Sequence, residues 1–143
     1  MTINYLGSIS ADDLPATFTT FFLEPVSVGF PSPANDYLES PIDLNKYLIK
    51  NGAATFLIRV SGDSMINANI GDQAILIVDR SIKPKHGSIV VASLDGEFVC
   101  KRLQLRPRLC LLPENPTYEP IYVQHGQDLD IMGTVTAAIN KFE

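Results

Sequence analysis

Ser64 lies in SGDSM (61–65), where the strand-like apolar run FLIRV (56–60) gives way to small and polar residues that end at Gly71-Asp72. A serine so placed has two readings. Ser and Asp often accept a backbone N–H where a helix or turn starts, so Ser64 and its neighbour Asp63 can be caps. Alternatively, the hydroxyl is a nucleophile held at a strand-to-turn junction, and it then needs a base beside it. His86 in KPKHGS and His125 in QHGQD are each followed by Gly in a polar turn, which suits exposed turn residues better than a base. A lysine can replace histidine in a Ser-Lys pair, provided that burial keeps its amine neutral. Most lysines here occupy polar turns or helix faces, and Lys101 does not. In GEFVCKRLQL (96–105) strand alternation puts Val99, Lys101, Leu103 and Leu105 on one face, with Phe98, Cys100, Arg102 and Gln104 on the other. An amine flanked by Val99 and Leu103 has the surroundings of a general base. Equally, the lysine stem can snorkel along an apolar edge.

The elements that must position these two residues are nearly all strands. ATFLIRV (54–60), QAILIVD (73–79), SIVVAS (88–93), GEFVCKRLQL (96–105), RLCLL (108–112) and DIMGTVTAAI (130–139) are separated by turn residues such as Asp95-Gly96 and Pro113-Glu114-Asn115-Pro116. Short strands at this spacing predict a mainly β, folded-sheet or barrel-like body. It is preceded by one short helix in SPIDLNKYLIKNG, with Ser40 as N-cap, Pro41 at the first helical position, Asp43 in the first turn and Asn51-Gly52 at the end. Leu44, Tyr47 and Leu48 give that helix an apolar face. Residues 1–39 read as an extended N-terminal arm and residues 40–143 as the body. TFTTFFL (17–23) has strand composition, whereas Pro31 and Pro33 forbid a continuous helix in the arm.

The charge pattern separates the same two regions. The net charge is −5, but residues 1–45 hold six acids and no Lys or Arg, while all 11 basic residues lie beyond. An acidic chain lacks the basic face that phosphate contact needs, so no direct DNA binding is expected. Cys100 and Cys110 sit in apolar runs and read as buried free thiols. Neither they nor the two histidines have zinc-ligand spacing, and no cofactor is expected. No basic leader with a long apolar run is present, so the expectation is a cytoplasmic protein with no membrane partner.

One lysine 37 positions after the serine of S-G-D-S-M (101 − 64), in D-G-E-F-V-C-K-R-L-Q-L, resembles the LexA/UmuD family of self-cleaving proteins. GFPSPANDYLES-PIDLN (29–45), GDQAILIVDRSI (71–82), HGSIVVASLDGEF (86–98), KRLQLRP (101–107) and LLPENPTYEPI (111–121) extend the likeness in order through most of the chain, closest to the UmuD branch. The resemblance implies a LexA/signal-peptidase-like β body and autocatalytic serine peptidase activity, with Ser64 as nucleophile and Lys101 as base. It places the scissile bond before the glycine of GFPSP, between Val28 and Gly29, and puts the Ser64 N–H in the oxyanion site. It implies a cut triggered by a RecA–single-stranded-DNA filament. The processed homodimer would then join a UmuC-like Y-family polymerase in the SOS response, as an accessory subunit in error-prone translesion synthesis. On this basis Asp63 keeps the cap role, and the arm is the substrate, laid along the body as an added strand. One departure stands out: relatives commonly carry Ala or Cys where this chain has Val28. A LexA-type repressor would need a DNA-binding domain that the acidic arm does not resemble, and a signal peptidase would need a membrane anchor. A non-cleaving regulatory binding module of the same fold is the remaining alternative.

Overall fold

The computed structural model describes residues 1–8, 18–19 and 42–143. Val28, Gly29, Pro31, Pro33, Ser40, Pro41 and most of TFTTFFL lie outside the described residues. Among the described residues the strands are β1 (Thr2–Ser8), β2 (Phe18–Thr19), β3 (Ile42–Asp43), β4 (Thr55–Ser61), β5 (Ile75–Asp79), β6 (Ile89–Leu94), β7 (Glu97–Gln104), β8 (Cys110–Leu112), β9 (Ile121–Tyr122) and β10 (Leu129–Ile139), with one α-helix, α1 (Leu44–Leu48). The expected mainly β body with one short helix is what the described residues form.

Eight strands make one antiparallel sheet in the order β1-β4-β5-β10-β6-β7-β8-β9, and β2 pairs separately with β3. The sheet turns on β10. Residues 129–134 of that strand pair with β6 and residues 134–139 with β5, with register shifts between Ile131 and Gly133 and between Val135 and Ala137. Such bulges bend a strand and let one sheet fold back on itself. Gly133 is required at the first of them: a Cβ there would stand 2.6 Å from Val78 Cγ1. The fold-back closes the main core, in which Phe56, Ile58, Val60, Leu76 and Val78 of β4 and β5 meet Val91 and Cys100 of β6 and β7. The opposite face of β6 and β7 builds a second cluster from Val90, Ala92 and Leu103 with Leu111 of β8, and Val99 packs against it.

Two local expectations are corrected. The helix starts later than the Ser-Pro signal suggested. Ile42 and Asp43 are drawn into a strand, and the Asp43 carboxylate caps α1 by accepting the Asn45 N–H at 3.0 Å. Its apolar face is also weaker than expected, because Leu44 and Leu48 are half-buried while Tyr47 is exposed; the buried residue is Ile49, one step past the helix. The first strand was not anticipated. Residues 2–8, read as part of the arm, pair with β4 from Thr2↔Ser61 to Ser8↔Phe56.

Candidate active site

Lys101 is placed by ladder geometry. It sits in β7 opposite Val90 of β6, with Val99 and Leu103 two residues away on the same face. Leu103 and Val90 are fully buried, and Lys101 itself is only 6% exposed. The alternation read from sequence therefore holds at the residue that matters. Loss of water holds the Lys101 amine below the ordinary lysine pKa, since desolvation penalises the charged form. Its Nζ donates to the Cys100 carbonyl at 3.2 Å and lies 3.0 Å from Ser64 Oγ.

Ser64 is placed differently, by a turn that leaves β4. Gly62 opens the turn at φ +101, in the left-handed region that L side chains rarely adopt. Its N–H is held by the Asp72 carboxylate at 2.7 Å, and chiefly that bond keeps the Asp72 pKa below the usual value. A single 3-10 turn, Ile66–Ala68, follows, and Asn69 closes it in the left-handed conformation. Met65 and Ile70 anchor the turn in the main core. Ser64 is fully buried.

Neither Ser64 nor Asp63 caps this turn with its side chain. The 3-10 turn has Met65 at its N-cap position with no side-chain cap. The Ser64 hydroxyl meets Lys101 instead. The Asp63 carboxylate accepts the Tyr118 hydroxyl at 2.6 Å, which corrects the cap role expected for it. That bond raises the Tyr118 phenol above its ordinary pKa. The snorkelling alternative for Lys101 fails on the same geometry, because its amine points to a buried serine rather than to water.

Four contacts fasten the turn to the segment 113–118. Tyr118 grips the Asp63 side chain, and Asn115 Nδ2 donates to the Asp63 carbonyl at 3.0 Å. The Glu114 N–H donates to the Ser64 carbonyl at 2.8 Å, and the Asn67 N–H donates to the Glu114 carbonyl at 2.9 Å. In the sequence Pro113-Glu114-Asn115-Pro116 reads as a separator, and nothing in its residue types announces this clamp to Ser64. What Asn115 does signal is its own turn, which it caps by accepting from the Thr117 N–H and hydroxyl at 3.0 and 2.9 Å, as Asn before such a turn commonly does.

Other groups are accounted for elsewhere. His86 Nδ1 accepts the Leu105 N–H at 3.0 Å, so this imidazole is engaged by the backbone just past β7. Cys100 and Cys110 are buried free thiols, as expected. Burial pushes the Cys100 thiol up to about 12, with the nearby Lys101 charge opposing only in part. Among the described residues no group of three His, Cys, Asp or Glu is gathered to hold a metal. None of the described helices is long and apolar enough to cross a membrane. Val28 and Gly29 lie outside the described residues.

A buried serine 3.0 Å from a desolvated lysine can exchange a proton between Oγ and Nζ, which is the step that activates a hydroxyl for acyl transfer. The chain is also similar to known proteins. The family described as Peptidase S24-like matches residues 21–136. Protein SamA of Salmonella typhimurium is 49% identical over 120 residues, covering 84% of this chain and 84% of SamA. Protein ImpA of Salmonella typhimurium is 46% identical over 122 residues (84% and 82%). Protein MucA of Escherichia coli is 43% identical over 120 residues (83% and 82%).

Proposed function

The chain belongs to the Peptidase S24-like family, and we propose that it is a UmuD-like self-cleaving serine peptidase whose dyad is Ser64 and Lys101. The observation that carries this is the 3.0 Å approach of Lys101 Nζ to Ser64 Oγ in a buried, largely apolar setting. With the amine neutral, Ser64 Oγ attacks the Val28 carbonyl carbon while Nζ takes the hydroxyl proton. The Ser64 N–H and a neighbouring amide face the developing oxyanion. Collapse breaks the Val28–Gly29 C–N bond, and Nζ returns the proton to the departing Gly29 amine. Water then hydrolyses the Val28 ester on Ser64, with the amine again acting as base. The product that keeps the body is residues 29–143, 115 residues (143 − 28).

The biological setting follows from the family resemblance. The arm is delivered to the dyad when the protein docks on a RecA–single-stranded-DNA filament. The processed homodimer then serves a UmuC-like Y-family polymerase in SOS mutagenesis, in the cytoplasm and without contacting DNA itself. Intact mass spectrometry of full-length protein at alkaline pH tests the chemistry. The wild type yields a fragment beginning at Gly29, and Ser64→Ala yields none while staying folded, because only one oxygen is removed. A product that starts elsewhere would remove the assigned bond. A wild type that stays whole even with the RecA filament present would favour a regulatory binding module of the same fold.

A further inference from the structure

The turn of Ser64 and the strand of Lys101 are joined by a second route that bypasses the dyad. Arg102, the residue after the base, pairs through Nε with Oε1 of Glu114 and donates from Nη1 to the Gly87 carbonyl at 2.6 Å. Glu114 in turn gives its N–H to the Ser64 carbonyl at 2.8 Å and takes the Asn67 N–H at 2.9 Å. One residue thus holds the base strand by its side chain and the nucleophile's turn by its backbone. The strand has no need of this pair for its own order, since β7 is laddered to β6 on one side and β8 on the other. Half-exposed ion pairs also contribute little to stability. What the pair does have is leverage on distance. The turn after β4 is in no ladder, and proton transfer from Oγ requires the base within hydrogen-bond reach.

We propose that Arg102 and Glu114 are a positioning pair that sets the separation of Ser64 from Lys101. Glu114 serves the reaction without touching the substrate. Arg102 is suited to this because its planar fork reaches the Glu114 carboxylate and the Gly87 carbonyl together. The proposal rests on Ser64 and Lys101 being the reacting pair, and its test separates the two ideas.

The test uses full-length protein with Arg102→Met, which keeps the apolar stem, Glu114→Ala, which keeps the backbone amide, the double variant, and Ser64→Ala as control. First-order cleavage rates are followed by intact mass from neutral to alkaline pH, with thermal midpoints measured alongside. Each single change should slow cleavage about tenfold at its alkaline plateau, as small misplacements of reacting groups do. The pH midpoint should stay in place, and the thermal midpoint should hardly move. The double variant should be no slower than the slower single one, because a single link can be broken only once. In a Ser64→Ala background, Arg102→Met should also speed hydrogen exchange of the Glu114 amide, a readout that requires no cleavage. Wild-type rates in both single variants, losses that multiply in the double variant, or unchanged Glu114 exchange would overturn the pair's role. Cleavage by Ser64→Ala would overturn the dyad and the positioning role with it.

Discussion

The strand that carries Lys101 and the turn that carries Ser64 are built on opposite principles, although their side chains meet at 3.0 Å. Lys101 is held by its pairing with Val90 of β6, by a strand that is laddered to β8 from the next residue on, and by a cluster of Val90, Leu103 and Leu111. Its position is a by-product of what stabilises the fold. Ser64 is held by Gly62, by Met65 and Ile70 beneath it, and by one backbone amide, a phenol and a carboxamide reaching across from 113–118. Above the apolar anchor of Met65 and Ile70, its position depends on polar contacts that add little to the core. Changes on the strand side should therefore be felt as stability, and changes on the turn side as rate.

Leu103→Ala sharpens that contrast most. It empties a fully buried site beside Lys101 and should lower unfolding free energy by about 2–5 kcal/mol. In denaturant titration the transition should move sharply, while the cleavage rate of the remaining folded protein changes little. A large fall in the folded-state rate would show that the ladder also tunes the dyad.

Val28→Ala probes the substrate side. If the proposed cut follows Val28 and its pocket is shaped for a small residue, that pocket must take two more carbons, and overpacking typically costs about 1–3 kcal/mol. The β-branch limits escape to other rotamers. If part of that cost arises only in the productive geometry, Val28→Ala cleaves faster, by roughly tenfold per 1.4 kcal/mol relieved. Equal rates in side-by-side mass time courses would mean that the pocket has widened to fit Val28. Tyr118→Phe is the smaller, turn-side counterpart. It removes the hydroxyl that Asp63 accepts and should slow cleavage by roughly threefold with the thermal midpoint unchanged. A lowered midpoint with an unchanged rate would contradict the division of labour.

Lys101→Met tests what the strand concedes to function. The folded state holds the Lys101 proton less tightly than the unfolded chain does, because burial depresses its pKa from 10.5. Stability contributed by this group is thus lowest below the folded pKa and rises with pH between the folded and unfolded values. Lys101→Met should accordingly be more stable than wild type at neutral pH, with the gain shrinking as pH approaches the unfolded value. Denaturation curves at neutral and alkaline pH give the comparison. A gain that does not shrink would point to better packing rather than to a buried charge.

The same contrast explains what was legible in the sequence. Lys101 could be found because a strand's period of two converts residue type into direction, and Val99 and Leu103 mark the apolar side. The runs ATFLIRV, SIVVAS and DIMGTVTAAI likewise announced β4, β6 and β10. Tyr118 and Glu114 could not be tied to Ser64 in this way. Their contacts join residues about 50 positions apart, and Glu114 uses its backbone amide, which every residue but proline possesses. The late start of α1 escaped for a related reason: pairing of Ile42–Asp43 with Phe18–Thr19 is tertiary, and it overrides a sound local Ser-Pro signal. The first strand did carry a trace, in the alternation of Thr2-Ile3-Asn4-Tyr5, but four residues seldom outweigh the texture of the segment around them.

In the proposed mechanism a neutral Lys101 activates Ser64, and the pH profile of self-cleavage without any activator measures that step. The rate of appearance of the 115-residue product (143 − 28) should rise with pH as Lys101 loses its proton, and level off below the ordinary lysine value of 10.5. Lys101→Arg, whose guanidinium stays protonated, should give no product at any pH. A rate that is flat from neutral pH to about pH 10, or a Lys101→Arg protein that still cuts itself, would contradict the account.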